Sequence, residues 1–260
     1  MFSIFNKKKK IVVDCFTCDL AAYEITPITK AAENIPDWWH SLPKYRKINS
    51  VQDANIQLSM IDGSLFPMDG IENNMRKCYG FIELYKRGVI IKNWCDTIIE
   101  VDKESYSFAY SHGFSPTFHE KRQYNYAFKD FHHIKLSSPW FFREKSGIPF
   151  LKIGAVWNND NLNATFLHGI TTFDVNSSTS LNLMLPIKEN KYTIKLNMGI
   201  PLAHIIPLRD DLDISYKCHL VSDDYCNQIN RMPQITFGTA SRSLLKILKK
   251  NKENEKRCPF

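Results

Sequence analysis

The sequence predicts a mainly β, β-rich α+β fold: an antiparallel β-sandwich or barrel of jelly-roll, cupin-like or β-clip type, with an N-terminal arm and two C-terminal helices. Three observations predict it. Between Ser138 and Leu208 the runs SPWFF, SGIPFLKIGAVW, ATFLHGITTFD, TSLNLMLPI and YTIKLNMGIPLAHIIPL are punctuated by Gly and Pro, as successive short strands are. Tyr106–Tyr110 and Tyr124–Phe128 alternate aromatic and polar residues, the pattern of half-buried strands. No helical patterns alternate with these runs, so nothing would cover the faces of a parallel sheet. At 260 residues, 43% apolar and 13% aromatic, the chain can bury a substantial core.

The elements follow in order. Ile11 to Thr17 reads as a strand, and Thr29 to Asn34 as a short helix after Pro27. Pro36-Asp37-Trp38-Trp39 reads as a helical turn with Pro at its first position. Adjacent tryptophans on a helix do not both face inward, so one is expected under another segment, clamping the N-terminal arm. Lys44 to Asn74 is loop-like, with turn signals at Asp62-Gly63 and Asp69-Gly70. Met75 to Lys86 spaces Met75, Cys78, Ile82 and Tyr85 along one helical face, and Gly88 stops it. Val89 to Val101 returns to strand character. Within the β region Gly147, Gly154, Gly169 and Gly199 mark bends or close approaches, and Pro149, Pro186, Pro201 and Pro207 suit strand ends. Ser222 to Met232 and Ser241 to Lys250 read as the two C-terminal helices. The chain therefore divides into a basic tail (1–10), one β-rich domain (11–237) with a helix near 75–87, and a C-terminal helix with a basic tail (238–260).

Net charge is +7, concentrated at Lys7, Lys8, Lys9 and Lys10 and in the last fifteen residues. Like-charge blocks of this kind are usually solvated tails, and the alternative is sequence-independent contact with phosphates or a membrane surface. Lysine far exceeds arginine, which argues against a sequence-specific reader of nucleic acid. No run approaches the length of a membrane-spanning helix. MFSIFNKKKK puts its apolar residues before its charges, the reverse of a secretory signal, so a cytosolic location is expected.

Seven cysteines are scattered along the chain, and reduced thiols are the expectation for that compartment. Cys15 and Cys18 form a CxxC pair without a second pair at zinc-finger spacing, and strand alternation would point them to opposite faces. For a metal, the candidates are His112, His119, Glu120, His132, His133, His168, Asp174 and His204. Cupin-like iron or zinc sites need HxH or HxD on one strand plus a distant His. His132 and His133 are adjacent and face apart. The composite trio His119, His168 and His204 remains as the speculative iron or zinc set. Asp210, Asp211 and Asp213 beside Arg209 read as a solvated turn. GxSxG, Walker A, GxGxxG, HExxH and CxxCH are all absent.

Several landmarks together carry a resemblance. They are Asp14-Cys15-Phe16-Thr17, Ala22-Tyr23-Glu24, Pro27-Ile28, Ile35-Pro36-Asp37-Trp38-Trp39, Cys78-Tyr79-Gly80-Phe81-Ile82 with Trp94 and Asp96, His119 and Gln123, Ser138-Pro139-Trp140, and Gly199 through Pro207. Over residues 11 to 230 the chain resembles a family of proteins of tailed phages, of the type carried by T4-like cyanophages, with bacterial relatives. That family has no established activity, so the resemblance implies a lineage and assigns no catalytic residue. Its closing segment reads closer to G-T-P-L-x-Q-x-I-P, and His204 stands at the Gln position.

The expectation is a phage-encoded, non-enzymatic virion-associated or host-binding protein without a cofactor. It would work in the host cytoplasm or the virion, with Trp38, Trp39 and Lys7 to Lys10 as candidate partner-binding residues. The alternatives are a cupin-like iron-dependent oxygenase using the barrel interior, and a nucleotide-handling β-clip protein. The last needs a pocket between subunits and hence a homo-oligomer.

Overall fold

Alternation of apolar and polar side chains in KKIVVDCFT buries Ile11, Val13, Cys15 and Thr17 and turns the residues between them outward. In the computed structural model, which describes residues 8–42, 59–61, 64–66, 75–111, 117–118, 124, 126–158, 163–174 and 176–230, this segment is β1 (Lys9–Thr17). It starts two residues before the expected strand, inside the lysine run. Then come α1 (Leu20–Glu24), β2 (Thr29–Lys30), a 3-10 turn at Ala31–Asn34, α2 (Asp37–Ser41), β3 (Ser59–Ile61), β4 (Ser64–Phe66), a 3-10 turn at Met75–Lys77 and α3 (Tyr79–Tyr85). After them lie β5 (Val89–Lys92), β6 (Thr97–Val101), β7 (Tyr106–Tyr110), β8 (Thr117–Phe118), β9 (Phe131–Leu136), β10 (Phe141–Arg143) and β11 (Pro149–Gly154). The last are β12 (Thr165–Phe166), β13 (Gly169–Thr172), β14 (Leu181–Pro186), β15 (Tyr192–Leu196), β16 (Pro201–Pro207), β17 (Leu212–Leu220) and α4 (Asp223–Asn230).

The chain divides into two compact units, residues 31–87 and the remainder, where the sequence reads as one domain over 11–237. The larger unit carries four sheets, ordered β10-β1-β17, β13-β11-β16-β5-β2, β12-β14-β9-β8 and β15-β6-β7. All their pairings are antiparallel except β1 with β17. The mainly β, antiparallel class is as expected, and the barrel is corrected. Each sheet is open among the described residues; the edge strands β13 and β2 of the five-stranded sheet do not pair with each other.

One core joins the sheets, with Trp94, Trp140, Phe142, Phe150, Phe173, Ile99 and Leu183 buried in it. The GIPLAHIIPL landmark builds β16, central in its sheet, with Leu202 to Ile206 all buried. Prolines stand at strand ends, at Pro149, Pro186, Pro201 and Pro207. Gly88, just before β5, takes φ +74°, and a Cβ there would lie 2.0 Å from the Ile205 carbonyl oxygen. Only glycine fits there.

Local corrections have local causes. Val89–Val101 is two strands, because Asn93 turns the chain: its Nδ2 donates to the carbonyls of Cys95, Leu196 and Asn197. Tyr124–Phe128 is no strand, since Tyr126 and Phe128 take left-handed φ of 55° and 57° in a turn. Thr29–Asn34 splits into β2 and a 3-10 turn, and Met75–Lys86 into a 3-10 turn and α3. The first C-terminal helix is α4, and the second, Ser241 to Lys250, lies outside the described residues, as does the whole C-terminal segment 238–260. In the smaller unit β3 pairs antiparallel with β4, and the Asp62-Gly63 and Asp69-Gly70 turn signals lie outside the described residues.

Candidate thiol site at the seam of the first and last strands

β1 and β17 run parallel in continuous register from Lys9 opposite Leu212 to Thr17 opposite Leu220. The Val221 N–H extends the seam by donating to the Thr17 carbonyl at 2.9 Å. In a parallel pair, residues in register share a face. Val13, Cys15, Tyr216 and Cys218 therefore face inward, while Asp14, Phe16, Lys217 and His219 face outward.

On the inner face Cys15 is fully buried and Cys218 half-buried. Their thiols interact directly, with opposite effects on the two partners. Burial, and then the hydrogen bond to Cys218, push the Cys15 thiol well above its ordinary range. The Cys15 thiol donates to the Val13 carbonyl at 3.9 Å, and its proximity brings Cys218 down to about 7 against the opposing effect of burial; the Ile28 backbone and the His219 ring add to the lowering. In thiol form Cys218 reaches the Ile28 carbonyl oxygen at 3.7 Å. Beside them the Tyr216 hydroxyl is buried without a hydrogen-bond partner, and burial and then Cys15 raise its ionisation far above the usual phenol range. The couple thus holds one labile proton near neutrality, with the negative charge on the more accessible sulfur.

On the outer face His219 Nε2 and Asp14 Oδ1 are 2.9 Å apart, and the His219 ring stacks on Phe16 at 5.0 Å. Tyr225 of α4 meets the same Phe16 edge-on at 5.5 Å. Ser222 and the two aspartates after it start α4 as the sequence suggested, and the helix brings Cys226 against Cys18. This second couple is held protonated. Cys18 is pushed up to about 12 by burial, by hydrogen bonding to Cys226 and by the Asp223 carboxylate; Cys226 is raised by burial and by Asp223.

Alternation correctly separates Cys15 from Cys18, but each of them meets a cysteine from the far end of the chain. The missed signal was the second pair, Cys218 and Cys226, at the end of the last apolar-polar run.

The other candidates are placed as follows. His119, with His112 and Glu120, lies outside the described residues. His168 is exposed between β12 and β13, and His204 is buried in β16. Among the described residues no three His, Cys, Asp or Glu side chains stand together as a metal site. His132 and His133 face opposite sides of β9, and His132 Nε2 lies 3.0 Å from the Asp102 carbonyl oxygen.

Trp38 and Trp39 both contact Phe81, edge-on at 5.6 Å and stacked at 5.9 Å. As expected, one of the two, Trp39, lies under another segment, while Trp38 stays exposed with an edge against Phe81. Trp39 Nε1 also donates to the Met75 carbonyl at 3.0 Å, and the Arg76 guanidinium lies 5.1 Å over its ring. Lys7 is outside the described residues. Lys8 Nζ donates to the Asp210 carbonyl at 2.6 Å; Lys9 and Lys10 are exposed strand residues rather than tail, and Lys10 is opposite Asp213. Arg209 donates from Nε and Nη2, one edge of its guanidinium, to both Asp211 carboxylate oxygens and, with Lys8 adding a smaller share, holds that carboxyl down to about 2. The basic run is therefore met by an acidic turn.

No protein-family model, curated protein or solved structure matches this chain.

Proposed function

We propose that this chain is a redox-responsive binding protein of the phage type its landmarks resemble, with Cys218 as the reactive thiol and Cys15 as the resolving one. The observation that carries the reading is the in-register Cys15–Cys218 couple, with its thiolate on the half-buried member at about 7. A peroxide supplies the chemistry. The Cys218 thiolate attacks one peroxide oxygen, the O–O bond breaks, and the products are a sulfenic acid and hydroxide, which takes a proton to become water. The Cys15 sulfur then attacks the sulfenic sulfur. The S–O bond breaks, the Cys15 proton leaves with the hydroxyl as a second water, and a disulfide remains. Strands in register lie about 4.8 Å apart, inside the Cα separation a disulfide accepts.

Alkylation by iodoacetamide with peptide mass mapping tests this. Cys218 is expected to react first, with a rate rising through a midpoint near pH 7, and Cys15→Ala, which removes the neighbouring S–H, moves that midpoint up. Stoichiometric peroxide is expected to remove two hydrogens and join the Cys15 and Cys218 peptides. A Cys218 midpoint at the ordinary thiol value, or a peroxide product lacking that cross-link, overturns the reading. Mass spectrometry of purified particles tests the virion-associated form of the binding role, and absence there removes it.

A further inference from the structure

A second cluster lies away from the thiols, on β11. Phe150, Lys152 and Gly154 share a face of that strand. Phe150 is fully buried, and a Cβ at Gly154 would lie 2.7 Å from that of Phe166 on β12, so this face packs closely against the next sheet. Lys152 stands between them, half-buried, and its Nζ donates to the Ser180 carbonyl oxygen. In register beside it are the buried Ile205 of β16 and Gly169 of β13. Gly169 leaves that flank bare: a Cβ built there meets nothing within 4 Å. The β16 neighbour of Lys152 is thus filled by a buried side chain, and its β13 neighbour carries none.

The charged neighbour is another lysine. Lys135 of β9 lies close enough to repel the Lys152 ammonium, and it pairs in register with Asn182, whose buried Oδ1 has no hydrogen-bond partner. The Ser178 and Ser180 hydroxyls lie 2.7 Å apart at the same edge. Among the described residues no carboxylate forms an ion pair with Lys135 or Lys152.

We propose that Lys152 is a carbonyl-reactive amine that takes a small aldehyde or ketone bearing an anionic group, entering beside Gly169, with Lys135 facing the anion. The Lys152 lone pair attacks the carbonyl carbon, and the carbinolamine loses its hydroxyl with the nitrogen proton as water. An imine remains. Two features free the lone pair: burial first, and then the Lys135 charge, bring the Lys152 ammonium down to about 8. Roughly a tenth of it is neutral at pH 7, against well under a hundredth for an ordinary lysine.

Pyridoxal 5′-phosphate trapped with borohydride at pH 7, followed by peptide mass mapping, is the test. Lys152 is expected to label roughly tenfold or more faster than exposed lysines. Lys135→Met is expected to slow labelling at Lys152, and Gly169→Leu, at an edge-strand position with room for the side chain, to suppress it while circular dichroism is unchanged. Pyridoxal without its phosphate is expected to label Lys152 more slowly. Labelling that follows exposure alone, or Lys152 labelling indifferent to both substitutions, overturns the proposal. So does pyridoxal labelling Lys152 as fast as its phosphate. None of these outcomes depends on the cysteines.

Discussion

Cys218 and Cys226 carry the same thiol eight residues apart and differ because of what stands beside each. At Cys218 the neighbouring Cys15 thiol outweighs burial, whereas at Cys226 burial, seconded by the Asp223 carboxylate, outweighs the Cys18 thiol. One is ready to react near neutrality and the other is kept silent. Sequence alone shows that residue 15 points inward, from the alternation around it, but not which cysteine it meets. Lys152 is a similar case, since nothing in FLKIG reveals that the lysine is half-buried against a second sheet. Its lowered ionisation has a sign that is testable by stability. The unfolded chain holds a proton up to about 10.5 and the folded one only to about 8, so stability rises with pH across that window. Below pH 8 the whole penalty is present. Lys152→Met is therefore expected to raise stability at pH 7 by about 1–3 kcal/mol, a gain that shrinks toward pH 10.5. Urea titrations at pH 7 and 10 check this, and a loss at both pH values contradicts it.

At the level of elements, strand content and the antiparallel class were legible because period-2 patterns and Gly/Pro punctuation are local signals. Closure was not. Whether Pro201–Pro207 ends a barrel or sits inside an open sheet depends on which edges meet, and no local pattern records that. The parallel partnership of β1 and β17 was invisible for the same reason. Strand Val89–Val101 was misread as continuous because a single buried side-chain amide, that of Asn93, makes the corner. Gly88 shows how tightly β5 and β16 are fitted. Gly88→Ala is expected to cost about 3 kcal/mol or more, from left-handed strain together with the collision at Ile205. Gly199, at φ +87° with nothing near its missing Cβ, separates these contributions. Gly199→Ala is expected to cost about 1–2 kcal/mol. Denaturant midpoints compare the pair, and equal losses would mean that the close approach at Gly88 relaxes without cost.

In the molecule as a whole, the seam joins positions 205 apart, as His219 and Asp14 show. Closing so long a loop precedes any gain from the contacts it makes, so β1 and β17 are expected to order late in refolding. Pulsed hydrogen exchange is expected to show the amides of β1 and β17 gaining protection together, after those of β11 and β16. Early protection of β1 contradicts this. Reducing conditions are expected to leave the timing unchanged, because Cys15 and Cys218 meet only once the register is set.

The seam also has a consequence for biosynthesis. A ribosome adds about 5–20 residues per second, so β1 emerges about 10–40 seconds before the strand that will lie beside it. Throughout that interval one of its edges is an open template of unpaired N–H and C=O groups, next to the inward row Ile11, Val13 and Cys15. The lysines at its start then guard the nascent chain: Lys8, Lys9 and Lys10 repel other copies of the same edge until the acidic turn at Asp210 and Asp211 arrives to meet them.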